Sequence, residues 1–335
     1  DRIDYTWSRN DTGDVSFTQY NYDTDGTLVF TVSGTSKTQV DSLTGVTVSN
    51  VDSLNESDVD LLLSGGMSIA VYDSANNRVD FVWAKNLTGD LSYTKYFYNT
   101  SDQLVYTVSG DHRAAVDNLS GVTVDTVSSL TASDIDSILS AGMSIAVYDT
   151  DNNRTDHVWS RSDSGDATFT QYNYDSLGKL IYTVSGSQRS GVESVTGLSA
   201  AAVNNLSESD AEGYLSAGMS IAVYDTVNNR IDHVWTLSDT GDLSFTEYHY
   251  NSQATLVFTV SADNRADVES LTGITVDNAA TLTAADIDSI LGAGMSVTVY
   301  DTGFSRVDHV WSRDDSGKAT FTQYHYDANG TLVYT

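Results

Sequence analysis

The chain has 335 residues, 46 of them acidic and 16 basic, for a formal net charge of −30. Its 40% apolar content supports packed cores, which argues against wholesale disorder. The charge argues against a nucleic-acid backbone or an anionic membrane as main partner. Cysteine is absent, which excludes disulfides, thiolate metal sites and thiol catalysis. No apolar run approaches the ~18 residues that a spanning helix needs, so no membrane insertion is expected.

A repeat organises the sequence. Trp stands at 7, 83, 159, 235 and 311, and Met only at 67, 143, 219 and 295, so both recur every 76 residues. An interval that never slips marks a tandem array without insertions. The copies are 1–76, which lacks its preceding first strand, then 77–152, 153–228 and 229–304, with a partial copy at 305–335.

The elements of one copy follow in chain order. Met143–Asp149 alternates, with Met143, Ile145 and Val147 on one face, and is read as strand A. Asn152 and Asn153 suit a tight turn because Asn tolerates positive φ. Strand B is Arg154–Ser160, and Asp163–Gly165 turns into strand C, Ala167–Tyr174, rich in Thr and Tyr. Asp175–Gly178 turns again, and strand D is Lys179–Ser185. The second part of a copy changes period. Arg113–Leu119 reads as a short helix stopped at Ser120 and Gly121. Thr131 and Asp134 read as a capping box opening a second helix with Ile135, Ile138 and Leu139 on one face. The expected fold is an α+β tandem repeat, each 76-residue unit a four-stranded antiparallel β-meander plus two short helices covering one sheet face.

Recurrence separates structural residues from chemical ones. Arg2, Arg78, Arg154, Arg230 and Arg306 are each followed two residues later by Asp4, Asp80, Asp156, Asp232 or Asp308. On a regular strand that spacing puts both side chains on one face, and Arg154 is expected to pair with Asp156 or a neighbouring acid. With Trp83, Trp159, Trp235 and Trp311, the pairs Arg78 and Asp80, Arg154 and Asp156, Arg230 and Asp232, Arg306 and Asp308 are read as structural. The turn glycines Gly13, Gly89, Gly165, Gly241 and Gly317 recur with them, as do tyrosine pairs such as Tyr172 and Tyr174.

His157, His233 and His309 lie beside those aspartates, yet Tyr5 and Phe81 fill the same slot, which marks an aromatic packing position. No copy adds a distinctive nucleophile, and no hydrolase, zinc-protease or phosphate-loop motif occurs, so no catalytic residue is assigned and the chain is not expected to be an enzyme. Calcium is the candidate ion. Asp149, Asp151 and Asn153, like Asp23 and Asp25, set hard oxygen ligands at alternate positions, although no bidentate Glu follows. Asp73, Asp149, Asp225 and Asp301, at the end of each strand A, are the candidate ligands.

The whole chain resembles, in composition and fixed period, the repeat regions of large prokaryotic surface proteins, adhesins and extracellular filaments. Locally, Tyr172–Leu180 is similar to the YD repeats of Rhs-type shells, but the 76-residue spacing is far longer than theirs, so their fold is not expected here. The resemblance implies a structural protein at the cell surface or outside the cell, forming a filament, sheath or stalk. The alternative is an adhesin or carbohydrate-binding module that holds surface glycans on recurring Trp and Tyr. The first copy carries strand B without strand A, so Arg2, Ile3, Asp4, Tyr5, Thr6, Trp7 and Ser8 are expected at a head-to-tail junction with another copy.

Overall fold

The computed structural model describes residues 2–9, 15–303, 306–327 and 331–335. Gly13, and Ser305 at the expected start of the partial copy, lie outside them. The chain divides into two compact units, Asp1–Thr168 and Phe169–Thr335.

The first unit holds strands β1 (Tyr5–Arg9), β2 (Val15–Tyr22), β3 (Leu28–Gly34), β4 (Met67–Asp73), β5 (Arg78–Lys85), β6 (Leu91–Tyr98), β7 (Leu104–Gly110), β8 (Ser144–Asp149) and β9 (Arg154–Arg161). Each pairs antiparallel with the next, from β1–β2 through β8–β9. Helices α1 (Lys37–Asp41) and α2 (Glu56–Leu62) interrupt the chain between β3 and β4, and α3 (Arg113–Asp117) and α4 (Ala132–Ile138) between β7 and β8.

The second unit takes in β10 (Ala167–Tyr174), β11 (Leu180–Gly186), β12 (Met219–Asp225), β13 (Arg230–Leu237), β14 (Leu243–Tyr250), β15 (Leu256–Ala262), β16 (Ser296–Asp301), β17 (Arg306–Arg313) and β18 (Ala319–Gln323). These also pair in sequence, and β19 (His325–Tyr326) with β20 (Leu332–Tyr334) forms a separate two-stranded ribbon. Its helices are α5 (Arg189–Glu193), α6 (Ala200–Asn204), α7 (Glu208–Tyr214), α8 (Arg265–Glu269) and α9 (Ala284–Ile290). The molecule is therefore β-rich, antiparallel and repeat-like, with few short helices. Strands on either side of a helical insert, β3 and β4 or β15 and β16, are directly paired, so the sheet runs on past each insert within its unit.

Burial explains the short helices. Five to seven residues cannot hold a helix alone in water. Each is anchored by a buried residue, Val40, Val59, Val116 or Ile135 in the first unit, and α2 and α4 open with capping boxes at Asn55/Asp58 and Thr131/Asp134. The inserts cover the sheet face that carries Phe81, Trp83, Tyr93 and Val108, all buried. Close approach explains a glycine at the end of a D strand: a Cβ on Gly186 would lie 2.7 Å from Met219 Cγ and 3.3 Å from Val192 Cγ2. The turn reading at Asn153 matches a φ of 50°, with Asn77 and Asn229 alike.

Candidate functional sites

The aspartates considered for calcium close the hairpins between strands A and B. Asp73 Oδ1 accepts from the backbone N–H of Ala75 at 3.0 Å, and its Oδ2 accepts from Asn76 Nδ2 at 2.6 Å. Asp149 repeats this with Asp151 and Asn152, and Asp225 with Val227 and Asn228. The side-chain amide, with the backbone donors behind it, holds the carboxyls of Asp73, Asp149 and Asp225 below their usual range. Asp301 accepts from Gly303. Asp23 likewise accepts from the backbone of Asp25 and Thr27. Among the described residues no group of three or more His, Asp or Glu is placed to hold a metal.

The same aspartates take the recurring arginines. Arg78 lies 3.6 Å from Asp73, Arg154 3.3 Å from Asp149, Arg230 3.9 Å from Asp225 and Arg306 3.8 Å from Asp301. Arg78 also bonds Asp102. The expected Arg–Asp spacing of two is found as a contact at Arg2 and Asp4, 4.0 Å apart and exposed. Strand register is the reason the pairing elsewhere crosses the hairpin. Val71 faces Phe81 and Tyr72 faces Val79, which leaves Asp80 as the extra residue of a β-bulge. Asp156, Asp232 and Asp308 occupy the same bulge.

Each bulge aspartate meets the next side chain. His157, His233 and His309 are buried and donate from Nδ1 to Asp156, Asp232 and Asp308 at 2.7, 2.9 and 2.7 Å. The His233 bond holds the Asp232 carboxyl below its usual range, whereas burial beside Phe81 raises that of Asp80. Trp83, Trp159 and Trp235 are fully buried and Trp311 nearly so. The rings of Trp83 and Trp235 sit 4.7 and 4.8 Å from Tyr93 and Phe245.

The tyrosine pairs divide between two tasks. The second of each pair is a clamp: Tyr98 donates to the Val79 carbonyl at 2.9 Å and lies under the Arg78 guanidinium, 4.5 Å from its ring centre. Tyr22 and Tyr326 repeat this with Arg2 and Arg306. The first of each pair, Tyr20, Tyr96 or Tyr248, alternates onto the face away from the inserts and is half-buried. That face carries cross-strand hydroxyl pairs, Thr18 with Ser33, Thr94 with Ser109 and Thr246 with Ser261. Burial raises the phenols of Tyr96 and Tyr248, with smaller contributions from Tyr148 and Tyr72 in one unit and Tyr300 and Tyr224 in the other.

A cavity of about 210 Å³ in the second unit was not anticipated. Its polar lining is Glu247, His249 and Glu269, among Phe258, Val260 and Ile274. His249 stacks on Phe258 with ring centres 4.3 Å apart, and its Nε2 lies 3.8 Å from Glu247 Oε2. Burial, then the charges of Asp232 and Glu269, pushes the Glu247 carboxyl up; burial pushes the His249 imidazole down. The available signal was the scarcity of Glu: position 247 holds Gln19, Lys95, Gln171 and Gln323 in the other copies.

A stability test follows from Glu247. A carboxyl whose folded pKa is raised keeps its proton in the folded state after the unfolded chain has lost it. Its contribution is full below the unfolded value and is lost as pH rises through the folded one. Glu247→Gln is therefore expected to stabilise the protein at neutral pH, with the gain fading as pH drops through the carboxylate range. Urea midpoints of both proteins across that range check this, and a gain independent of pH would refute it.

Strand β1 stands apart. Ile3, Tyr5 and Trp7 are exposed, Trp7 by 52%, and β1 pairs with β2 alone among the described residues.

No family model and no curated protein matches this chain. Among solved structures, a crystal structure of TcdB2-TccC3-TEV matches over 94% of this chain and 15% of its own, at 13% identity and a TM-score of 0.24. The chain thus spans a small part of that protein's length, and a likeness at that score carries no argument about function.

Proposed function

We propose that this is a structural repeat protein of the cell surface or cell exterior, built to extend as a filament, sheath or stalk. In this reading each 76-residue unit is a four-stranded antiparallel meander followed by its helical insert, and units share strands edge to edge. The observation that carries it is the direct pairing across inserts, β3 with β4 and β7 with β8 in the first unit, and β11 with β12 and β15 with β16 in the second. Such a sheet gains units without closing, and each unit is stabilised by its neighbours. The recurring residues support a non-catalytic role: Arg, Asp, His, Trp and the second Tyr of each pair are engaged in hairpins, bulges and core. The partner in this reading is another copy of the same repeat, added head to tail.

Sedimentation velocity of the 335-residue chain over a wide concentration range, with electron microscopy of the concentrated sample, tests this. Concentration-dependent growth into linear assemblies is expected; a single compact species throughout would overturn it. A second reading, glycan binding, draws on the half-buried tyrosines Tyr20, Tyr96 and Tyr248 on the face away from the inserts.

A further inference from the structure

We infer that the cavity beside β14 and α8 binds a small primary amine as its ammonium ion, held by Glu247 and Glu269. The inference goes beyond the proposed structural role and concerns one copy of the repeat alone.

The first unit supplies the template. Positions 95, 113 and 117 of the second copy correspond, two periods of 76 residues on, to 247, 265 and 269 of the fourth. In the second copy Asp117 collects three donors. Arg113 Nε donates to its Oδ2 at 3.0 Å. Lys95 Nζ and the Tyr93 hydroxyl donate to its Oδ1 at 3.0 and 3.1 Å. An ammonium group thus already sits on this acid as part of the fold.

The fourth copy keeps the arginine and loses the other two donors. Arg265 Nε donates to Glu269 Oε1 at 2.6 Å. Phe245 stands where Tyr93 does and brings no hydroxyl, and Glu247 stands where Lys95 does. The site therefore gives up a positive charge and gains a negative one where the ammonium was held. Burial, then the charges of Asp232 and Glu269, pushes the Glu247 carboxyl up, as expected of an acid that lacks this cation. A third change makes room. Tyr106 of the second copy donates to the Val122 carbonyl at 3.4 Å. Its counterpart Phe258 has no hydroxyl, and Ile274, the counterpart of Val122, lines the cavity. The result is a space of about 210 Å³ with both carboxylates in its lining.

The rest of the lining decides the class of ligand. Among the described residues no three acids or histidines are placed to hold a metal ion. The wall beside the carboxylates is apolar and aromatic, with Val260, Phe258 and the His249 ring stacked on Phe258 at 4.3 Å. That combination suits an alkylammonium ion, whose charge meets the acids and whose short chain covers the apolar side chains. The volume is below the ~300–1,000 Å³ of pockets for drug-sized ligands, so the amine is small.

Calorimetric titration of the intact 335-residue protein with n-butylammonium chloride, at an ionic strength fixed with sodium chloride, tests this. One saturable site per chain is expected, because Glu holds this position in one copy and Gln or Lys in the others. 1-Butanol, similar in size but uncharged, should not bind. Glu247→Gln, which installs the residue present as Gln19 and Gln171, should weaken binding at least about tenfold. Glu247→Lys, which restores the Lys95 arrangement, should abolish binding and raise the melting temperature. Equal binding of 1-butanol would reduce the site to an apolar pocket and overturn the inference. Several weak sites per chain, or an unchanged affinity in Glu247→Gln, would overturn it as general attraction of cations to an acidic chain. Displacement of the amine by calcium at matched ionic strength would overturn it in favour of a metal site.

Discussion

Trp235→Ala is expected to cost about 3–5 kcal/mol, the range for removing a large aromatic from a packed core. Trp235 is fully buried, its ring lies 4.8 Å from that of Phe245, and Ile221 faces it from β12. Its indole Nε1 has no hydrogen-bond partner, so the loss is one of packing and of the cavity left behind. The damage should stay local, because in a repeat array each unit contacts mainly its neighbours. Hydrogen exchange is expected to show lost protection in β12, β13 and β14 while β4, β5 and β6 stay protected. Trp7→Ala provides the contrast. Its side chain is half in solvent, and the cost should remain below about 1 kcal/mol, as for surface substitutions generally. Denaturant midpoints for the two variants measure the difference, and equal costs would refute this account of the tryptophan series.

The strands were legible because alternation and turn residues act locally. Strand C at Ala167–Tyr174 is found where it was expected, since Thr and Tyr alternate there and Gly165 and Asp175 bound it. The capping box at Thr131 was legible for the same reason: its partner is three residues away. The bulge at Asp80 was not. One extra residue in a strand leaves no mark in composition, yet it decides which acid the arginine meets, setting Arg78 against Asp73 across the hairpin. Distances from Asp73 to Asn76 and from Asp149 to Asn152 were needed to show how those carboxylates are occupied.

Pairing across the inserts was hidden for a different reason. Nothing in Leu104–Gly110 specifies that its free edge meets Ser144–Asp149 beyond two helices; that follows from how the insert folds back over the sheet. The Glu247 cavity stayed hidden because its lining from β14, β15, α8 and the segment after α8 meets only when the insert folds onto the sheet, and because recurrence, which sorts structural positions well, passes over a residue present in a single copy.

Arg113→Ala is expected to uncouple neighbouring inserts. Its Nη1 donates to the Leu54 carbonyl at 3.0 Å, its Nε to Asp117 at 3.0 Å, and its guanidinium lies 4.8 Å from the centre of the Phe81 ring. Its backbone N–H donates to Glu56 Oε1 at 2.6 Å. One residue thus ties the insert before β4 to the insert after β7. Arg265 does the same in the second unit, donating to Asn204 and Leu206, with Glu208 accepting from its backbone. Hydrogen bonds from a charged donor contribute about 1.5–3 kcal/mol each when partly shielded, and the Arg113 side chain is 23% exposed. A loss of about 2–3 kcal/mol is therefore expected. The more telling effect is on cooperativity. Removing a link between neighbours in a linear array weakens the interface without touching the units themselves. Thermal unfolding followed by near-ultraviolet and far-ultraviolet circular dichroism should coincide for the natural chain and separate for the variant. Arg113→Lys should recover less than half of the loss, because an ammonium cannot span the Leu54 carbonyl and Asp117 with one planar fork or stack as well over Phe81. Coincident transitions and an unchanged midpoint in Arg113→Ala would show that the inserts are joined by packing alone.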